Sequence, residues 1–176
     1  MDVLGGILGI VVQLAFFGAI GWVIVRFLRH RGDAGGEVEV DRATSVRRLF
    51  VYGLMLVTLT LGAVGTTMIG QSLLTSGWSD EERTALALGL AFMLVAGPAY
   101  VFLLRFARGR LRDDVGERTS LAWAAYLNIA LASSLIVSTV MVHGLLARVF
   151  GADEFEWRGI APVIVWAAVW AMHWFW

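Results

Sequence analysis

Five stretches of this chain run long enough without a charged residue to cross a bilayer, and the charges are gathered between them. These windows are residues 3–25, 49–74, 84–104, 119–147 and 159–176. A membrane span needs about 20 apolar residues at about 1.5 Å per residue, with a tolerated range of about 17–25. The last window, at eighteen residues, only just qualifies, whereas the second and fourth, at 26 and 29, are long enough to tilt or project beyond the bilayer. Backbone in hydrocarbon must satisfy its own hydrogen bonds, so each window is expected as a helix. The composition agrees. Charged residues make up 16% and apolar residues 59% of the chain, against roughly a quarter and a half in soluble domains. The expected fold class is all-α: a polytopic integral membrane protein with five transmembrane helices.

Orientation follows from the arginines, which account for every basic residue. Arg26, Arg29, Arg31, Arg42, Arg47 and Arg48 follow the first window, and Arg105, Arg108, Arg110, Arg112 and Arg118 follow the third. The other two connections, TSGWSDEER and RVFGADEFEWR, are mostly acidic. Positive residues are retained in the cytoplasm. The amino terminus is therefore expected outside, the carboxyl terminus inside, in a bacterial cytoplasmic (inner) membrane. The division that results is an anchor helix over 1–29, a cytoplasmic linker over 30–44, a helical hairpin over 45–104, a cytoplasmic arginine-rich loop over 105–118 and a second hairpin over 119–176. The first window lacks the basic leader and cleavage site of a signal peptide, so it reads as a retained anchor.

Local signals support helices. SDEE at 79–82 has capping-box spacing. Thr44 or Ser45 can cap the second span, and Thr119 or Ser120 the fourth. Pro162 falls in the first turn of the fifth span, where its missing N–H costs nothing. Pro98 lies inside the third span, and a kink is expected there.

A shift of 74 residues lays one hairpin over the other, pairing Tyr52 with Tyr126, Gly70 with Gly144, Gly77 with Gly151 and Glu82 with Glu156. Two readings fit: a parallel repeat about an axis along the membrane normal, or the similarity shared by any two membrane hairpins. The sequence SVRRLFVYGLMLVTLTLGAVG, followed much later by IVWAAVWAMHWFW, resembles a bacterial family of multi-span membrane domains of unknown function. The resemblance rests on Arg47, Arg48, Leu49, Phe50 and Tyr52 at a helix start, and on Trp170, His173 and Trp174 at a helix end. It would cover roughly residues 44–176. It implies an architecture and no activity.

Few residues offer chemistry. The chain has no cysteine, which removes disulfides and thiolate catalysis. No Asp, Glu, Lys or Arg falls at mid-span, which argues against ion-coupled transport. Net charge is zero, so nothing points to nucleic acid. No serine, histidine or carboxylate stands in a nucleophile-elbow or metalloprotease pattern. His143 and His173 are expected about 15 Å apart in depth, too far to clamp one haem; His30 and His173 share the cytoplasmic side and form the remaining haem reading. No metal site or cofactor is expected.

Two groups of residues remain. Trp166, Trp170 and Trp174, with His173, read most simply as an aromatic belt at the cytoplasmic headgroups, or more sharply as an aromatic groove for a lipid, a quinone or a partner helix. Polar uncharged residues gather on the second and fourth spans. They read as helix-packing groups whose hydroxyls bond across the contact, or as a polar, ligand-binding seam of Gln71, Asn128, Ser134 and Ser138 with His143. The functional expectation is a non-catalytic packing subunit or scaffold, with lipid and other membrane subunits or further copies of itself as partners. The alternatives are a binding or permeation protein for a small or lipid-like solute, and a redox protein using His30 and His173.

Overall fold

Only helices and their connections occur among the described residues, which in the computed structural model are 38–75, 77, 79–151 and 156–175, with side chains from residue 44 onward. The first expected span and His30 lie outside them. Helix α1 runs Val38–Leu73, α2 Asp80–Asp113, α3 Val115–Arg118, α4 Leu121–Val149 and α5 Ile160–Trp174, the last entered through a 3-10 turn at Trp157–Gly159.

Among the described residues, three helices are long and apolar enough to cross a membrane: Thr44–Leu73, α2 and α4. At 29 to 34 residues, the described spans of α2 and α4 are about 44–51 Å long. Helix α5 has only 15 residues, about 22 Å, and falls short of the roughly 30 Å hydrocarbon core.

The helix ends follow from local chemistry. At the start of α2, Ser79 Oγ accepts from the Glu82 amide at 3.3 Å, and the Ser79 amide donates to Glu82 Oε2 at 2.9 Å, which is the expected capping box. Ser120 caps α4 by accepting from the Trp123 amide. Pro162 sits in the first turn of α5. Helix α2 continues through Pro98 without interruption.

Two boundaries differ from expectation. Helix α1 begins at Val38, so Thr44 and Ser45 lie inside it and do not cap it. The arginine-rich stretch expected as a loop is also helical. Helix α2 extends to Asp113, with Arg110 and Arg112 in its last turn, where cations favour the helix dipole. Asp114 then closes α2 and caps α3, accepting from the Gly116 amide at 2.8 Å. Arginine, leucine and alanine are strong helix formers, and charge alone does not unwind them.

Residues 45–176 form one compact unit. Helices α1 and α2 touch through glycine: a Cβ on Gly65 would lie 2.8 Å from the Gly89 carbonyl oxygen, and one on Gly89 would lie 2.9 Å from that of Gly65. Helix α1 also meets α5, where a Cβ on Gly70 would come within 2.9 Å of Ala161 Cβ. A core of Tyr52, Met55, Leu103, Ala107, Trp123 and Tyr126 joins α1, α2 and α4 at the arginine-rich end.

The outer surface is apolar. Phe50, Leu94, Val95, Phe102 and Ile164 are each more than 60% exposed. Within the apolar windows, 33% of α1 is buried but only 11% of α2 and of α4. Helix α1 is thus the most enclosed, and the other two present long apolar flanks of the kind that suits lipid contact better than water.

Candidate functional site: a buried polar and aromatic network

On α1, Arg48, Tyr52 and Met55 recur at i, i+4 and i+7 and so share a face. Arg48 Nε donates to Glu117 Oε2 at 2.7 Å, and its Nη2 donates to Asp114 Oδ2 at 3.2 Å. Tyr52 donates its hydroxyl to the other Glu117 oxygen at 3.1 Å. Arg47 approaches Glu117 from the rim, at 3.9 Å. Glu117, carried on the short α3, is only 4% exposed. A carboxylate so enclosed needs both a cation and hydrogen bonds to offset its lost hydration, and α1 supplies them.

Below this cluster the rings take over. Tyr52 lies 5.3 Å from Trp123 and 6.0 Å from Tyr126, and Trp123 stacks on Tyr126 at 5.6 Å, centroid to centroid. Tyr126 then reaches the other two helices. Its hydroxyl is 3.2 Å from that of Tyr100 on α2 and 2.8 Å from His173 Nε2 on α5. The other ring nitrogen, Nδ1, is 2.8 Å from the Val169 carbonyl. A carbonyl only accepts, so Nδ1 carries the proton and Nε2 of the neutral ring accepts. Tyr126 therefore donates to His173, and its oxygen is left to accept from Tyr100. The two tyrosines that the 74-residue shift pairs meet at the centre, and four helices are tied together there.

The residues singled out from sequence divide sharply. His173 is 2% exposed and turned into the bundle, whereas Trp174 beside it is 63% exposed. Trp166 is buried with His173, and Trp170 stacks on Trp174 at 5.4 Å. Burial thus separates the histidine from the aromatic belt with which its neighbours grouped it. His143 lies exposed on α4, seventeen residues beyond Tyr126, so about 25 Å along the helix from the level of His173. That is further than the depth difference expected from the sequence.

The residues of the polar seam do not gather. Asn128 is exposed and donates to the Ala124 carbonyl of its own helix at 2.8 Å. Ser134 is buried and bonds the Ala130 carbonyl at 2.7 Å. Gln71 lies at the opposite, acidic end, lining a shallow pocket with Ser72, Thr75, Glu82 and Arg158. Ser138 Oγ and Thr67 Oγ1 are buried without a partner among the described residues. The hydroxyls were expected to bond across helix contacts. Thr58, Thr60, Ser72 and Thr139 instead return to carbonyls one turn back on their own helices, an alternative open to any helical hydroxyl, whereas Thr66 bonds the Gly62 carbonyl and also reaches Met93 Sδ on α2 at 3.5 Å.

Sequence reasoning missed Glu117 and Tyr100. A signal for the first was present: DDVGE sets acids in the middle of an otherwise basic connection. Among the described residues no group of three His, Asp or Glu side chains could hold a metal ion. What the arrangement does chemically is to bind its own parts: each buried charge and each ring hydroxyl of the network faces another group of this chain.

A family model described as a domain of unknown function, DUF5671, matches residues 48–156. The match begins at Arg48 and takes in Tyr52, Tyr100, Glu117, Trp123 and Tyr126, while His173 and the rest of α5 lie beyond it. No curated protein and no solved structure matches the chain.

Proposed function

The chain belongs to the DUF5671 family of domains of unknown function, and from this premise and the geometry of the network we propose that it is a non-catalytic integral membrane protein that packs against other spans. In this reading five helices cross a bacterial cytoplasmic membrane, with the amino terminus outside and the arginine-rich end in the cytoplasm. Helix α5 crosses with the help of its 3-10 lead-in and its terminal aromatic residues. The partners are other membrane subunits or further copies of the same chain.

One observation carries the reading. Glu117 and His173, both buried, face Arg48, Tyr52, Tyr126 and the Val169 carbonyl, while the flanks of α2 and α4 are apolar and exposed. The polar chemistry is directed inward to hold the helices, and the outward chemistry suits other helices and lipid. Close glycine and alanine contacts are the usual means of packing spans whose apolar surfaces gain nothing by leaving lipid.

Purification in mild detergent followed by native mass spectrometry tests the proposal. A stoichiometric membrane partner or a defined homo-oligomer is expected. A monomer that carries a small solute would overturn it in favour of the binding reading, which the unpartnered hydroxyls of Thr67 and Ser138 support. Reporter fusions after Arg112 and after Trp176 test the orientation: both are expected to report cytoplasm.

A further inference from the structure

The outer flank of α4 is apolar except at a few positions, and one of these is a carboxamide. Asn128 is exposed and donates one amide N–H to the Ala124 carbonyl of its own helix at 2.8 Å. A carboxamide has two N–H donors and an oxygen that can accept twice. The second N–H and the oxygen of Asn128 meet no other group among the described residues.

Depth makes that exposure costly. The charge-free run over 119–147 has 29 residues, about 43 Å of helix, against a hydrocarbon core of about 30 Å. With the excess shared between the two ends, Asn128, nine residues after Thr119, stands about 7 Å inside the core. A second ruler gives about 10 Å. Tyr100 precedes Arg105 by five residues, its hydroxyl meets that of Tyr126 at 3.2 Å, and Asn128 lies two residues deeper along α4. An amide left unbonded in an apolar medium is unfavourable, so Asn128 requires a partner from outside the bundle.

The surface around it suits another helix. Residues 121, 124, 128, 132, 135 and 139 are spaced by three or four, which keeps them on one face, and all are exposed. Ala124 and Ala132 stand one turn to either side of Asn128. Small side chains there let a second backbone come close enough for an amide to bond across the contact. The other exposed polar side chains of α4 are Thr139, whose hydroxyl returns to the Leu135 carbonyl, and His143, about 22 Å further along the helix. Helix α2 has no counterpart: its exposed residues from Leu88 to Phe102 are all apolar, as lipid contact favours.

The chemistry of the amide selects the partner. Copies of one chain inserted in one membrane share an orientation, so their α4 helices run parallel and their Asn128 side chains lie at one depth. About a two-fold axis along the membrane normal, each amide can donate its remaining N–H to the oxygen of the other, and one residue satisfies both copies. We propose that the Ala124–Asn128–Ala132 face of α4 is the interface of a parallel homodimer, held by reciprocal hydrogen bonds between the two Asn128 amides. A single asparagine in an apolar helix contact fixes register and the number of partners. The proposal rests on the membrane-packing reading above and supplies its partner and contact face.

The chain has no cysteine, so introduced single cysteines report the contact without background. The full chain is expressed in bacteria, the membranes are isolated, and cross-linking is driven by a mild oxidant. Recovery of the protein in the soluble fraction would overturn the membrane reading itself. Ala124→Cys and Ala132→Cys are expected to form disulfide-linked dimers, whereas Val95→Cys, on the exposed flank of α2, is not. Membrane-resident protein that cross-links at neither α4 position, or equally at Val95→Cys, overturns the interface. The amide is tested by the monomer–dimer equilibrium in detergent. Asn128→Leu should weaken the dimer about tenfold, and Asn128→Gln, which keeps a carboxamide, should weaken it less. Thermal unfolding of the monomer is expected to be the same in all three, since Asn128 bonds only its own helix. A dimer unaffected by Asn128→Leu overturns the proposal. Binding through this face to a membrane protein of different sequence would overturn the second copy as partner and leave the packing reading intact.

Discussion

The Tyr126 hydroxyl and His173 Nε2 are 47 residues apart in the chain and 2.8 Å apart in the bundle. The bond joins α4 to α5 where neither side chain has access to water. Tyr126→Phe keeps the ring and its stacking on Trp123 but leaves a buried imidazole acceptor unsatisfied. Such a loss costs about 1–3 kcal/mol. Thermal unfolding in detergent should show the drop. In Tyr126→Phe with His173→Leu, both ends of the bond are removed, so the double variant should lose less than the sum of the two single ones. Strict additivity would show that the two side chains do not interact.

Glu117 has a larger stake. Glu117→Ala leaves the Arg48 guanidinium and the Tyr52 hydroxyl without their principal acceptor. Breaking a buried pair by removing one partner costs about 3–5 kcal/mol, and the lower end applies because Arg48 keeps Asp114 at 3.2 Å. Glu117→Gln retains an acceptor oxygen and should cost less. Arg47→Ala removes only a half-exposed contact at 3.9 Å, worth about 0–1 kcal/mol. The expected order of melting temperature is wild type and Arg47→Ala together, then Glu117→Gln, then Glu117→Ala. An equal loss for Arg47→Ala and Glu117→Ala would contradict the assignment of Arg48 as the main partner.

How far the sequence revealed this arrangement depends on what each signal measures. Absence of charge measures solvent, so the windows at 49–74, 84–104 and 119–147 were legible and lie within or close to the ends of α1, α2 and α4. Presence of charge says only that water or a counter-ion is near. It could not tell a loop from the helical end of α2, nor show that Glu117 turns inward. The hydroxyls of Thr58 or Ser134 can satisfy themselves one turn back, so a polar helix need not make a polar seam. The terminal aromatic run is instructive. Tryptophans every four residues suggest one face, but at about 100° per residue Trp174 has turned about 80° from Trp166. His173, seven residues on, is only about 20° from Trp166. The histidine therefore shares the buried face of Trp166, and its tryptophan neighbour does not.

The capping box at the start of α2 gives a local test. Ser79→Ala removes the acceptor for the Glu82 amide and typically costs about 0.5–2 kcal/mol. Most of the effect should appear as fraying, because the first turn of α2 is exposed. Amide hydrogen exchange at residues 80–83 should quicken while that at 96–107, near the core, is unchanged. Uniform acceleration along the whole helix would mean that the cap supports the fold globally.

The glycines of α1 separate contact from mere composition. Gly62, Thr66 and Gly70 stand four residues apart, the spacing of a small-residue packing stripe, yet a Cβ on Gly62 meets nothing within 4 Å. Gly65, outside that stripe, is the residue on which α2 rests. An added methyl there would lie 2.8 Å from the Gly89 oxygen and 3.2 Å from the Met93 amide nitrogen. Both obstacles are backbone, which cannot rotate aside, so the two helices must part. Overpacking of this kind costs about 1–3 kcal/mol. Gly62→Ala adds no such clash and gains helix propensity of about 0.5–1 kcal/mol. Gly65→Ala and Gly89→Ala are therefore expected to melt below wild type, and Gly62→Ala at or above it. If Gly65→Ala proved as stable as Gly62→Ala, α1 and α2 could not approach as closely as the mutual glycine contact requires.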